Sequence, residues 1–221
     1  GGGDGEIFTS HDAGVTWIRR SAAGKRDWKK VASSSDGMVL TAIDGGDGSA
    51  SGGNVFISWD RGASWASCPA GSRNWTALAM SATGQYIVAA DSDVETTVFN
   101  PDYGNLFYSA DFGETWTKQS AVGSRDWNSL AISDNGSCII ATDGISKATH
   151  PFYDLFFGSP VDLSSGDNES DIFVFNANAW ERKTPSGSVN YYGYACSLSD
   201  TLFGFVRSEE RRVGKECRSR W

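Results

Sequence analysis

The sequence has little of the material from which metal sites, redox centres and membrane spans are built. It holds four cysteines and two histidines in 221 residues, and neither set has the spacing of zinc ligands. No apolar run comes near the roughly 20 residues of a membrane-spanning helix. We therefore expect no metal, no cofactor and no membrane span in this chain.

Positive charge is also scarce. The formal net charge is −8, with 27 acidic against 19 basic residues, and an acidic surface repels phosphate backbones. This balance predicts that nucleic acid is not a partner. Residues 208–221 differ from the rest, because they are rich in arginine and show no strand alternation. We expect them to be a non-native tail, artefactual or disordered, that follows a domain spanning 1–207.

A repeated turn is the main feature that the sequence does contain, in a chain with 26 glycines and nine tryptophans. The pattern Ser-x-Asp-x-Gly-x-Thr/Ser-Trp occurs three times. Its positions are Ser10, Asp12, Gly14, Thr16, Trp17, Ser58, Asp60, Gly62, Ser64, Trp65, Ser109, Asp111, Gly113, Thr115 and Trp116. The aspartate can accept hydrogen bonds from nearby backbone N–H groups, and glycine adopts a positive φ without steric cost. Each box therefore predicts a structural hairpin turn and no catalytic residue.

A second motif follows each box and sets the length of the repeat. It reads Gly-x-Arg-Asp/Asn-Trp at 24–28, 71–75 and 123–127, with a degenerate copy at 187–191. The three full copies begin 47 and 52 residues apart, and the degenerate copy begins 64 residues after the third. A spacing near 50 is typical of one four-stranded propeller blade. A strand with alanine and serine two residues apart should come next, at Ala32 and Ser34 in the first copy. A continuously apolar strand follows, and the third and fourth strands flank the box.

The boxes resemble the Asp-box, or bacterial neuraminidase repeat, of sialidase-like β-propellers. The resemblance implies that each box joins the third and fourth strands of a blade, away from the ligand face. We predict an all-β chain, a β-propeller of four-stranded antiparallel blades with about four blade equivalents and a half-blade at each end. We expect it to be a fragment of a larger, six- or seven-bladed ring. Pairing of the half-blades into a four-bladed ring is the alternative.

Arginines and tryptophans of the second motif are the candidates for ligand binding. They are Arg26, Trp28, Arg73, Trp75, Arg125 and Trp127. An arc of guanidinium groups on the loop face would suit a carboxylate or a sulfate. The competing interpretation is that each arginine pairs with its neighbouring aspartate or stacks on a tryptophan, as a clamp between blades. We favour the clamp, because a specific site is seldom repeated three times.

The resemblance to sialidases extends to the boxes and not to the catalytic residues. It has no Arg-Ile-Pro motif, and no Tyr–Glu nucleophile pair can be assigned. The sequence therefore predicts a non-catalytic propeller that binds a protein or a carbohydrate on its loop face, in an extracellular or cell-surface location. The alternative is a piece of a sialidase-like or other glycoside hydrolase, with Asp91, Asp93 and Glu95 as loop acids.

Overall fold

The fold is built almost entirely of short antiparallel strands. The structure is a computed structural model that describes residues 5–45, 52–92, 96–97, 100–101, 104–125, 127–143, 172–176, 179–183, 196–199 and 202–205. Within these ranges the only helical segments are two 3-10 turns, Ser21–Ala23 and Ser120–Val122. The predicted tail at 208–221 and the loop acids Asp93 and Glu95 lie outside the described residues.

The strands form three complete four-stranded blades and three two-stranded sheets. The first half-blade consists of Phe8–Thr9 (β1) and Ile18–Arg19 (β2). Blade A consists of Trp28–Ser33 (β3), Leu40–Asp44 (β4), Val55–Ser58 (β5) and Ala66–Ser67 (β6). Blade B consists of Trp75–Met80 (β7), Ile87–Asp91 (β8), Leu106–Ser109 (β11) and Thr117–Lys118 (β12), with a small hairpin of Thr96–Thr97 (β9) and Asn100–Pro101 (β10) inserted in it. Blade C consists of Trp127–Ile132 (β13), Cys138–Asp143 (β14), Ile172–Asn176 (β15) and Ala179–Lys183 (β16). The last half-blade consists of Cys196–Ser199 (β17) and Leu202–Phe205 (β18).

Each complete blade is an antiparallel meander in which spatial order follows chain order. The blades pack side by side through their first strands, since β7 contacts β3, β13 contacts β7 and β17 contacts β13. A register shift at the start of the first strand occurs in all three complete blades, at Trp28, Trp75 and Trp127. This arrangement confirms the prediction of an all-β chain of four-stranded antiparallel blades.

The core lies between neighbouring blades. The second strand of each complete blade is covered on both faces, and its Ile43, Ile87 and Ile139 are almost completely buried. One hydrophobic cluster joins Val88 and Leu106 of blade B to Ile139 of blade C, together with other buried side chains. Full burial of such a side chain contributes roughly 1.5–3 kcal/mol. Contact between blades is therefore the main source of stability.

The serines predicted to lie on the first strand instead close the turn that follows it. In blade A the strand ends at Ser33, and Ser34 Oγ donates to Asp36 Oδ1 at 2.6 Å and accepts from Val39 N at 3.0 Å. Ser133 Oγ likewise accepts from Cys138 N at 3.0 Å. A small polar residue stands there because its hydroxyl satisfies the buried backbone of the turn.

Candidate functional site

Every complete blade has two structurally different edges. At one edge, named here the loop edge, the first strand begins and the second strand ends; in blade B these points are Trp75 and Asp91. At the other, the box edge, the turn between the first two strands meets the box. In blade B, Phe112 N of the box donates to Gln85 O of that turn at 2.9 Å. The boxes and the arginines of the second motif therefore lie at opposite edges.

Arg73 joins blade A to blade B at the loop edge. Its backbone exchanges two hydrogen bonds with Gly53 of blade A, at 2.9 and 2.7 Å. Its side chain reaches into blade B, where Nη1 lies 3.2 Å from Asp91 Oδ2 and the guanidinium lies 4.3 Å from the centre of the Phe107 ring. Nε also donates to Ala70 O at 3.3 Å. One residue thus makes a hydrogen-bonded, ionic and cation–π connection across the boundary between the blades.

The same connection is present at the two other arginines. Arg26 lies 3.3 Å from Asp44 and 4.3 Å from the Phe56 ring centre, and Arg125 lies 3.0 Å from Asp143 and 4.5 Å from the Phe173 ring centre. In each case the aspartate comes 18 residues after the arginine. The sequence analysis did not assign these aspartates to the arginines. The constant spacing is the signal in the sequence that could have identified them.

The aspartates also close the bases of the long loops. Asp44 Oδ1 accepts from Asn54 N at 2.6 Å, and Asp91 Oδ1 accepts from Asn105 N. The three carboxylate side chains are only 4–7% exposed. Each of these buried carboxyl groups therefore has an arginine partner that offsets the cost of its burial.

Residues next to the arginines have other partners. Asp27 pairs with Lys29 at 2.8 Å, and Asn74 Nδ2 donates to Ser92 Oγ at 2.6 Å. The equivalent Asp126 lies outside the described residues. The arginine therefore pairs with the aspartate at the end of the second strand. The sequence analysis had instead paired it with the aspartate next to it in the sequence.

Two of the three tryptophans of the second motif are buried, and Trp28 is partly buried. Trp75 and Trp127 are each 1% exposed. Trp75 meets the Phe107 ring edge-on at a centroid distance of 5.4 Å, and Trp28 meets Phe56 in the same way at 5.3 Å. Part of each arginine side chain reaches solvent at the loop edge. These three side chains are 30–40% exposed.

The box of blade B is a closed set of hydrogen bonds. Ser109 Oγ donates to Asp111 Oδ1 at 2.8 Å and accepts from Gly113 N at 2.9 Å. Asp111 Oδ1 accepts from Thr115 N at 2.9 Å, and its Oδ2 accepts from the Thr115 hydroxyl. Trp116 Nε1 donates to Gly113 O at 3.1 Å, which fixes the ring beside the turn.

The other two boxes repeat this geometry. Thr16 and Ser64 donate through hydroxyl and backbone to Asp12 and Asp60, and these bonds lower the pKa of each carboxyl from 3.8 to about 2. The pKa of Asp111 is lowered for the same reason, with the Thr115 hydroxyl as the largest cause. Hydrogen bonds to the ionised form favour that form. The box carboxylates are therefore acceptors that hold a turn together.

The residue before each box glycine has an unusual backbone. Ala13, Arg61 and Phe112 have φ of 56°, 59° and 58°, and the glycines after them also have positive φ. Two successive positive φ values define the type I′ turn, which favours Asn-Gly or Asp-Gly. A bulky side chain such as Phe112 adopts this conformation at some cost.

Other kinds of site are not found in the part of the chain that the structure describes. No group of three or more His, Cys, Asp or Glu side chains there is arranged to hold a metal ion. No described helix is long and apolar enough to cross a membrane. Cys68 and Cys138 are buried free thiols, and burial raises the pKa of Cys68 to about 12.

No family model and no curated protein matches the sequence, but its fold is similar to those of known propellers. A GH74 xyloglucanase from Xanthomonas campestris is 12% identical, with a TM-score of 0.54 over 82% of this chain and 27% of that one. A putative TolB from Agrobacterium tumefaciens is 11% identical, with a TM-score of 0.56 over 87% and 58%. The Dos1 propeller is 10% identical, with a TM-score of 0.51 over 93% and 49%.

These similarities and the blade geometry define the class of protein. The chain forms part of an all-β propeller with about four blade equivalents. It spans less than two thirds of each of the three matched chains. The matched proteins include a glycoside hydrolase and propellers that are not described as enzymes, so the likeness is one of fold.

Proposed function

We propose that the protein is a non-catalytic propeller of the Asp-box class that binds a protein or a glycan at its loop edge. The observation that carries the proposal is the identical anchoring of that edge in all three complete blades. Each arginine clamp fixes the points from which the loops leave the sheet. A rigid base with loops of different lengths is the usual arrangement of a binding scaffold.

The aspartates that pair with the arginines and those of the boxes support binding over catalysis. Asp44, Asp91 and Asp143 are buried and paired with arginines, so they do not face solvent as a pair of catalytic carboxyls would. The box carboxyls lie at the opposite edge, and their lowered pKa keeps them ionised near neutral pH. A general acid needs a pKa near the working pH.

The chemistry of the loop edge favours an anionic ligand. Parts of Arg26, Arg73 and Arg125 are exposed there, and at the same edge of blade A Lys29 is half-exposed in an ion pair with Asp27. Guanidinium groups suit carboxylate and sulfate oxygens. An acidic glycan, or an acidic protein segment, is therefore the class of ligand that we propose.

A binding test compares the two edges. The protein is applied to a panel of immobilised sialylated, sulfated and neutral glycans, together with Lys29→Glu at the loop edge and Arg61→Glu at the box edge. We expect the acidic glycans to bind the wild type and the Arg61 variant, and to bind the Lys29 variant at least roughly tenfold more weakly, a loss of about 1.4 kcal/mol. Equal loss in both variants would contradict binding at the loop edge. Absence of glycan binding would restrict the proposal to a protein partner.

The second candidate is a piece of a propeller glycoside hydrolase. The fold similarity to GH74 enzymes favours it. It requires that Asp93 and Glu95, which lie outside the described residues, act as catalytic acids. Incubation with xyloglucan oligosaccharides and with a sialyl substrate tests it directly. Release of reducing sugar that disappears in Asp93→Asn or Glu95→Gln would support the hydrolase, whereas we expect no release.

A further inference from the structure

The turn between the first two strands of blade C carries an asparagine whose amide nitrogen the fold does not use. Asn135 Oδ1 accepts from the Ser133 hydroxyl at 2.9 Å and from Ser137 N at 2.8 Å. Asn135 Nδ2 donates no hydrogen bond to a described residue. Both Asn135 and Ser137 are exposed. The oxygen therefore fixes the amide group in the turn and leaves the nitrogen without a structural task.

The equivalent turns of the other blades show that this position needs only an acceptor oxygen. In blade A, Asp36 Oδ1 accepts from Met38 N at 2.9 Å. In blade B, the Thr83 hydroxyl accepts from Gln85 N at 3.3 Å. A carboxylate, a hydroxyl and an amide thus close the same turn in three blades, each through an oxygen. The turn explains the carbonyl oxygen of Asn135, but it gives no reason for the amide nitrogen.

The sequence of this turn matches the pattern of a glycan acceptor. Asn135, Gly136 and Ser137 form the Asn-x-Ser pattern, in which the asparagine of a secreted protein receives an N-linked glycan. The middle residue is glycine for a structural reason, since its φ is 74° and a Cβ there would lie 2.1 Å from Tyr86 Cδ2. The Ser137 hydroxyl makes no hydrogen bond to a described residue. The two groups that the pattern requires are therefore both accessible and both free of other partners within the described part of the chain.

A second match to the pattern, at 74–76, shows the opposite arrangement. Asn74 Nδ2 donates to Ser92 Oγ at 2.6 Å, and the Thr76 hydroxyl donates to Trp127 O of blade C at 3.3 Å. The residue between them, Trp75, is 1% exposed. A sugar on Asn74 would take up the nitrogen that joins two parts of the loop edge. The fold therefore uses this match as structure, and it separates the two asparagines into one that is engaged and one that is accessible.

We propose that Asn135 is the acceptor of an N-linked glycan at the box edge of blade C. Its Nδ2 displaces the diphosphate of a lipid-linked oligosaccharide: the bond from nitrogen to C1 of the sugar forms, the bond from C1 to the phosphate oxygen breaks, and the nitrogen loses one proton. The carbonyl oxygen is kept and still accepts from Ser137 N. The glycan stands at the edge opposite the arginine clamps, so it leaves the loop edge open to a ligand. The proposal is consistent with the extracellular or cell-surface location that the sequence predicts.

Secretion from cultured mammalian cells tests the proposal. The full chain is expressed behind a cleavable leader, with Asn168→Gln throughout because this residue matches the same pattern outside the described residues. Asn135→Asp is compared with the matched control Asn74→Asp, since aspartate occupies both positions in blade A. We expect a peptide-N-glycosidase to lower the apparent mass of the parent chain and of the Asn74 variant, and to leave Asn135→Asp and Ser137→Ala unchanged. A parent chain that does not shift, or a shift that persists in the Asn135 variant, would overturn the proposal.

Mass spectrometry of the secreted wild type identifies the modified residue. The glycosidase converts a glycosylated asparagine to aspartate, and in water enriched in heavy oxygen the new carboxyl group carries the label. The label separates this conversion from spontaneous deamidation before the treatment, to which Asn-Gly sequences are prone. We expect the label at Asn135, and a label at Asn74 with none at Asn135 would refute the assignment. Binding at the loop edge is measured separately, so its failure would leave this result unaffected.

Discussion

Replacing Arg73 with alanine removes one clamp and leaves its partners in place. The variant loses the ion pair with Asp91, the hydrogen bond to Ala70 O and the cation–π contact with Phe107. Its backbone bonds to Gly53 remain, because these do not involve the side chain. The largest consequence is that the Asp91 carboxylate, only 6% exposed, loses its counter-charge.

The size of the effect follows from how deeply the pair is buried. Removing one member of a fully buried ion pair costs roughly 3–5 kcal/mol, whereas an exposed pair contributes about 0–1. The Arg73 side chain is 38% exposed, so water can partly solvate the carboxylate once the arginine is gone. We therefore expect Arg73→Ala to lower the free energy of unfolding by about 2–3 kcal/mol, including roughly 1 kcal/mol from the contact with Phe107.

Urea denaturation of six variants measures this effect: Arg73→Ala, Asp91→Asn and Arg125→Ala, the combinations Arg73→Ala/Asp91→Asn and Arg73→Ala/Arg125→Ala, and a control. The control is Arg61→Ala at the box edge, an exposed arginine whose loss should change stability by less than about 0.5 kcal/mol. The double variant Arg73→Ala/Asp91→Asn should lose less than the sum of its single changes, because the buried charge is also removed. Losses from Arg73→Ala and Arg125→Ala should add, since the clamps lie at different boundaries between blades. Unchanged stability in Arg73→Ala, together with weaker binding of an acidic glycan, would refute the clamp and favour a ligand site.

Four further predictions concern other parts of the chain. The pKa of the box carboxyls is lower in the folded state than the unfolded value of about 3.9. Their contribution to the free energy of unfolding is therefore complete above that pH, and it is lost as the pH falls towards about 2. A variant with all three box aspartates changed to Asn should therefore be less stable at pH 7, and its melting temperature should fall less between pH 5 and 2. Phe112→Asn should raise stability by about 0.5–1 kcal/mol in urea titrations, because Asn tolerates the φ of 58° at this position better than Phe does. A loss of stability would indicate that packing of the Phe112 ring contributes more than the backbone strain costs. Gly136→Ala should lower the free energy of unfolding by about 1–3 kcal/mol more than Gly37→Ala does. Both glycines have positive φ, but only at Gly136 would the new methyl group meet a neighbour, 2.1 Å from Tyr86 Cδ2. Equal losses in the two variants would contradict this. Deletion of 208–221 should leave the melting temperature unchanged, because nothing in its sequence is patterned as a strand, and a clear decrease would show that the segment packs.

The repeat allows the strands and turns of each blade to be predicted from the sequence, whereas the contacts between blades are harder to predict. Boxes and apolar strands are local patterns, so the hairpin at Asp111 and the buried strand at Ile87 follow from a few adjacent residues. The partner of Arg73 is not local: Asp91 stands 18 residues later and resembles the first residue of a loop. Only alignment of the repeats shows that an aspartate recurs at this distance.

The hydrogen bond that closes the base of each loop has a consequence for how proteins of this kind diversify. Asp44 reaches across ten positions to Asn54, and Asp91 across fourteen to Asn105, with the same atoms in contact. The entropy of closing a loop grows only with the logarithm of its length, and each doubling costs roughly 0.6 kcal/mol. Insertions can therefore accumulate between the two anchors at almost constant stability, while the sheet beneath them stays unchanged. New specificities can arise by adding residues, and the same two anchors offer a protein engineer a place to graft a foreign loop.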